Sequence, residues 1–189
     1  MADKFLATSN VAAVDETTWW ALAAAKGDQV ALQHLIRATQ ADVWRFCAHL
    51  GDPGDADDLT QEVYLRAIRA LPRFRGDASI RTWLLAIARR SVADHIRAQQ
   101  RRRSAAPAAA PNASPPDDRV VLRAVINGLP EDRRSAFVLT QVLGLSYAEA
   151  AEVSGCPVGT IRSRVARARH DLVAALDDTA GDRQALPPT

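Results

Sequence analysis

Aromatic residues make up only 5% of this 189-residue chain, although 48% of it is hydrophobic. Few aromatics and abundant alanine favour helices over sheets. Cysteine occurs twice, at Cys47 and Cys156, with no CxxC pair. That excludes a disulfide framework and a cysteine-based zinc site, and two small buried or half-buried side chains are expected. His34, His49, His95 and His170 share no metal-ligand spacing, so neither metal nor cofactor is expected. No apolar run approaches the ~18 residues of a membrane span. The first residues, MADKFLATSNVAAVDE, lack a signal-peptide core, so a cytoplasmic location is expected. Excess charge of one sign is also missing: 24 Lys+Arg face 22 Asp+Glu, a net +2. The placement of charge must therefore carry more information than its sum.

What is present is helical punctuation. Residues 1–14 look like a leader. A first helix starts near Thr17 and stops at Lys26-Gly27. DQVALQHLIRATQADVWRFCAHLG then runs at helical spacing until Gly51-Asp52-Pro53-Gly54 breaks it. A third helix, GDADDLTQEVYLRAIRAL, ends at Leu71-Pro72. After RFRGDAS, a long fourth runs from about Ser79 to Arg103. Nothing here alternates like a strand. Residues 104–118, SAAPAAAPNASPPDD, cannot build a core and read as a flexible Ala/Pro-rich linker with a reach of roughly 50 Å. The chain is thus all-α, with one small helical domain over 15–103, a second over 119–176, and a loose tail over 177–189.

The second domain carries a helix-turn-helix. Leu145-Ser146-Tyr147-Ala148-Glu149 begins with a capping box, Ser154-Gly155 stops that helix, and Pro157-Val158 starts another. On a wheel of ~100° per residue, Ile161, Val165, Ala168 and Leu172 share one arc. Ser163 and Arg167 lie nearly opposite, with Thr160 beside Arg167. Such outward side chains reach base edges, where arginine bonds guanine bidentately. Arg162 and Arg164 sit on the flanks, placed for phosphates. Arg169 falls nearer the core edge, which suits a phosphate or structural role. A solvated arginine face is the plainer alternative.

The first domain has two faces. Leu59, Val63, Ala67 and Ala70 share an inward arc of the third helix. Asp58, Gln61, Leu65 and Ile68 form an outer stripe, with Asp57 and Glu62 close by. Apolar side chains among acids suggest a protein partner. The alternative is that the acids serve the helix dipole and a neighbour covers Leu65 and Ile68. No second carboxylate cluster or histidine motif accompanies these acids, so the chain does not read as an enzyme. On the fourth helix, Thr82, Arg89, Arg90, Arg97 and Gln100 lie on the arc away from the apolar side. That basic stripe suits a phosphate backbone or a solubilising face. Arg81 falls outside it and has no evident role.

DDLTQEVYLRAIRALPRFRG, RTWLLAIARRSVADHIR and GLSYAEAAEVSGCPVGTIRSRVARAR, in this order, resemble the segments of bacterial extracytoplasmic-function (ECF) sigma factors. The resemblance covers roughly residues 17–176. It implies a transcription initiation factor that binds core RNA polymerase and promoter DNA, and whose relatives are commonly held by an anti-sigma protein. Asp57, Asp58, Gln61 and Glu62, with Leu65 beside them, would face the polymerase clamp. The loop from Arg73 to Ser79, with Arg75, Gly76, Asp77, Ala78 and Ser79, would capture a base of the −10 element. Arg89 and Arg90, with Arg97 further along the stripe, would hold nearby DNA. Arg162, Ser163 and Arg167 would read the −35 element. Arg90 stands where the family often has Asn, and only Tyr64, Phe74 and Trp83 supply aromatics near the melting segment. Weak melting and strict promoter choice are therefore expected. The rival reading is a stand-alone helix-turn-helix regulator, which would need to dimerise. No coiled-coil heptad is present, so a monomer is expected.

Overall fold

The computed structural model describes residues 15–104 and 124–184. The expected leader, most of the expected linker (105–118) and the last five residues lie outside these. Among the described residues every regular element is a helix.

The first unit holds α1 (Glu16–Ala24), α2 (Gln29–Leu50), α3 (Ala56–Ala70) and α4 (Ile80–Ser104). Each start has a local cause. Asp15 accepts from the Thr18 amide at 2.8 Å, and Asp28 accepts from the amides of Val30 and Ala31. Both satisfy helix-end donors that would otherwise lack partners. Ser79 accepts from the Thr82 amide at the head of α4. Between α2 and α3 the chain turns so tightly that a Cβ on Gly51 would lie 2.7 Å from the Leu59 side chain and 3.0 Å from the Cys47 carbonyl oxygen, so a larger residue would have to displace them. The four helices enclose Leu35, Val43, Phe46, Leu59, Val63 and Leu84, all buried. Cys47 is buried with them, and burial pushes its thiol up to about 11.

The second unit begins with helical residues 124–128, labelled α5. It continues with α6 (Glu131–Phe137), which widens into a π-helical turn over Val138–Val142. Then come α7 (Tyr147–Ser154) and α8 (Val158–Gln184). Arg133 reaches Asp171 at 2.6 Å and ties α6 to α8. α8 continues through Gln184, past residue 176 where the packed domain was expected to end.

The two units touch. α7 packs on α4, and α6 and its π-turn meet α2. The buried side chains of both form one continuous cluster, from Leu35 and Phe46 through Leu85 to Leu139 and Ala151.

Candidate nucleic-acid and protein interfaces

The helix-turn-helix forms as its local sequence dictates. Ser146 and Glu149 close the capping box in both directions: the Ser146 amide donates to the Glu149 carboxylate at 2.8 Å, and the Glu149 amide donates to the Ser146 hydroxyl at 3.2 Å. Gly155 then takes the left-handed conformation, φ +62°, that ends α7. Ile161, Val165 and Ala168 are buried on α8 as the wheel requires.

The hydrogen bond from the Ser146 hydroxyl, followed by that from its amide, holds the Glu149 carboxyl below the usual range. A carboxyl lowered by folding adds stability above its unfolded pKa, and that stability is lost as pH falls through the folded one. Ser146→Ala should therefore cost about 1 kcal/mol near neutral pH. Urea unfolding should show this deficit shrinking as Glu149 protonates.

Ser163 and Arg167 are exposed opposite the buried arc, Arg162 is exposed on its flank, and Thr160 is half-buried. Arg162 and Arg167 have no protein partner among the described residues. Ser163 donates back to the Thr160 carbonyl at 2.9 Å. The Arg164 side chain is only 25% exposed, pairs with Asp132 at 3.0 Å and reaches the Cys156 sulfur at 3.6 Å. Its flank of α8 faces α6. Arg169 bonds Gln141 at 2.7 Å, in keeping with a structural role.

On the first unit, Asp57, Asp58, Gln61 and Glu62 are exposed beside Leu65 (45%) and Ile68 (41%). Among the described residues no neighbour fully covers the two apolar side chains. Glu62 is partly engaged, accepting from Arg66 at 2.7 Å, and Arg66 crosses to Asp94 on α4 at 3.0 Å. Composition had not singled out Trp44. It is 44% exposed, donates to Asp57 at 2.8 Å, and with Gln40 and Gln61 lines an open 690 Å³ groove between α2 and α3. An aromatic within an otherwise amphipathic helix gave no signal, because its exposure depends on where the first turns of α3 cross α2.

In the loop before α4, Arg75 and Asp77 are exposed, while Gly76 (φ +78°), Ala78 and Ser79 are half-buried. The Ser79 hydroxyl is occupied by the α4 cap and by Thr82 at 2.9 Å. Phe74 is buried and tilts against Trp83 at 5.3 Å. On α4, Arg90 and Arg97 are exposed and Arg89 is half-buried. Arg97 is held by Asp94 at 2.7 Å, and Arg97 and Arg66 together keep that carboxyl below its usual range. Thr82, expected on the outer arc, is instead buried. The loop folds over the first turn of α4, which a wheel of a single helix cannot register. His95 sits at a boundary, pairing with Asp55, which also accepts from Gln99 at 2.6 Å.

The geometry defines a two-unit helical protein with one acidic-apolar face and one arginine-bearing helix-turn-helix. Residues 35–102 match the sigma-70 region 2 family model, and residues 119–172 match sigma-70 region 4. The ECF RNA polymerase sigma factor SigC of Mycobacterium tuberculosis (strain CDC 1551 / Oshkosh) is 54% identical over 177 residues, covering 88% of this chain and 96% of that one. The ECF RNA polymerase sigma-E factor of Escherichia coli (strain K12) is 37% identical over 166 residues, covering 78% and 87%. Among solved structures, CnrH in complex with the cytosolic domain of CnrY aligns with a TM-score of 0.69 at 27% identity, covering 86% of this chain and 97% of that one. The Bartonella quintana sigma factor RpoE, in complex with the anti-sigma factor NepR, aligns at 0.67 with 27% identity, covering 77% and 96%. This chain belongs to the ECF sigma factors, alternative sigma factors that direct RNA polymerase to promoters.

Among the described residues, no helix is long and apolar enough to cross a membrane, and no cluster of His, Cys, Asp and Glu is arranged for a metal ion.

Proposed function

We propose that the two units divide promoter recognition between them. Residues 15–104 bind core polymerase and the −10 element, and the helix-turn-helix unit reads the −35 element. The observation that carries this is the α8 face: Ser163 and Arg167 stand exposed opposite a buried arc with Arg162 exposed on the flank, directly after a capped helix and a left-handed glycine turn. Arg167 and Ser163 read bases in the major groove, Arg162 meets the groove wall, and Thr160 supports them. Arg164 flanks this set, already paired with Asp132.

The stripe of Asp57, Asp58, Gln61, Glu62 and Leu65, extended by Trp44, meets the polymerase clamp. Uncovered apolar side chains among carboxylates suit a partly basic protein surface. The Arg75–Ser79 loop and Arg89, Arg90 and Arg97 hold the −10 DNA, with phosphate contacts from the two outermost arginines. With Phe74 and Trp83 packed on each other, few aromatics remain to trap unstacked bases, which supports weak melting and strict promoter choice. The protein works in the cytoplasm as a monomer without an active site of its own. Since two structural relatives were solved with anti-sigma proteins, an anti-sigma partner fits here too.

Reconstituted transcription tests the reading. Added to purified core polymerase, the chain should start specific transcripts, yet bind promoter DNA only weakly alone. Tight operator binding by the free protein as a dimer, with no transcript, would instead establish a stand-alone regulator.

A further inference from the structure

Trp19, on α1, is 56% exposed, more than any other tryptophan of the chain. Its ring is nevertheless held. Trp20 meets it edge-on at 4.7 Å, and Trp20 in turn stacks on His34 of α2 at 4.6 Å. An indole oriented in advance loses little freedom when a ligand packs on it. α1 lies against the segment proposed to hold the −10 element. The Ile80 amide, at the head of α4, donates to the hydroxyl of Thr18, the residue before Trp19, at 2.9 Å. One turn further on, the Leu22 side chain lies 3.7 Å from where a Cβ on Gly76 would stand, so α1 also supports the middle of the Arg73–Ser79 loop. At ~100° per residue Trp19 falls ~60° from Leu22, on the loop side of the outward face, while Trp20 turns away toward α2. Charge around the ring is mixed. Arg73, Arg75 and Lys26 are exposed, and so are Asp15, Glu16 and Asp77. Asp15 is committed to the amide and hydroxyl of Thr18. This balance makes no phosphate cradle, but a neutral base needs none.

We infer that Trp19 is a stacking platform for an unpaired promoter base, next to the one taken by the Arg75–Ser79 loop. This deepens the proposed −10 reading and rests on it. Every base has a π-face, so an indole can hold one without reading its identity. The occupant is single-stranded DNA because the ring is continuous with the loop proposed to take DNA. The apolar surface around it is also narrow. The outward face of α1 carries Glu16, Trp19, Ala23 and Lys26, so one ring stands between charges. That lacks the broad, water-excluding surround of a protein hot spot, but it matches one base, with Lys26 further along the face to meet the strand. Phe74 and Trp83 are packed on each other, so Trp19 supplies an aromatic face that the melting segment lacks. A single platform in place of a cluster stabilises one unpaired base, in keeping with weak melting. Sequence order hides the link, because α2 and α3 separate α1 from the loop.

The test uses holoenzyme formed from the full chain and core polymerase, with two fluorescent probes. One is duplex DNA bearing a short randomised single-stranded overhang; the other is the same duplex with blunt ends. Core polymerase alone supplies the background for both. Trp19→Ala should weaken binding of the overhang probe about 5–150-fold and leave the blunt duplex unchanged. Trp19→Leu keeps apolar bulk without a ring and should lose as much. Trp19→Phe should keep most of the affinity. Circular dichroism checks each fold, and Trp19→Leu decides the matter if Trp19→Ala does not fold. Unchanged overhang binding in either folded variant overturns the platform, as does an equal loss on both probes. Affinity for core polymerase is titrated without DNA. A loss there would make Trp19 a protein contact, and self-association of the parent that the variants abolish would make it a contact between copies; each overturns the platform. Transcription is scored separately. Trp19-dependent overhang binding by a factor that starts no specific transcript would leave the platform standing and refute the promoter reading.

Discussion

Phe46→Ala is expected to lower unfolding stability by about 3–5 kcal/mol, the cost of removing a buried phenyl and leaving a cavity. Phe46 is fully buried in α2, among Val43, Val63 and Leu84, which also have almost no exposure. The interior is packed like a crystal, so neighbours cannot collapse into the space. Domains of this size hold only about 5–15 kcal/mol in total, so a large fraction of the variant should be unfolded near its growth temperature. Urea titration followed by tryptophan fluorescence measures this. A loss below about 1 kcal/mol would show that the α2–α4 core is not packed as described. Transcription should fall in parallel at high temperature and recover on cooling, because no promoter or polymerase contact has been removed.

Arg167→Ala is expected to cost about 1–3 kcal/mol of promoter affinity, a loss of about 5–150-fold, concentrated at one base pair. Arg167 is exposed, unpaired among the described residues, and opposite the buried arc of α8. A scan of −35 variants against the polymerase-bound factor should show the preference at that position relaxing. Arg97→Ala provides the contrast. It should weaken binding alike for all sequences and reduce the salt slope by about one, as loss of a phosphate contact does. Its effect should be the smaller of the two, because Asp94 already partly neutralises Arg97. Equal, sequence-independent losses for both would refute base reading by Arg167.

Much of the site could be read before any coordinates. Ser146, Glu149 and Gly155 mark the helix-turn-helix because caps and left-handed turns are local devices, each decided within four residues. The α8 wheel placed Ile161, Val165 and Ala168 inside and Arg167 outside correctly, since an amphipathic helix carries its own inside and outside. The same wheel failed for Thr82 and could not show that Arg164 has an acid beside it. An angle around one axis does not say which neighbouring element stands beside it, and here α6 and the RFRGDAS loop do. Trp44 was missed for a related reason: whether an aromatic on α2 is covered depends on the length and crossing of α3.

The amino-acid sequence by itself determined the helices, their caps, the all-α class and the side of α8 that faces outward. These follow from short-range backbone geometry and from the 3.6-residue period. Only the tertiary structure decided which arginines are free and which are spent. Arg164 went to Asp132, Arg169 to Gln141, and Arg81 to Asp42 and Leu143. Arginine's long stem and five donors let it reach any acceptor within several ångströms, so its role is set by which acceptors the packing brings near, and those come from 28 to 62 residues away.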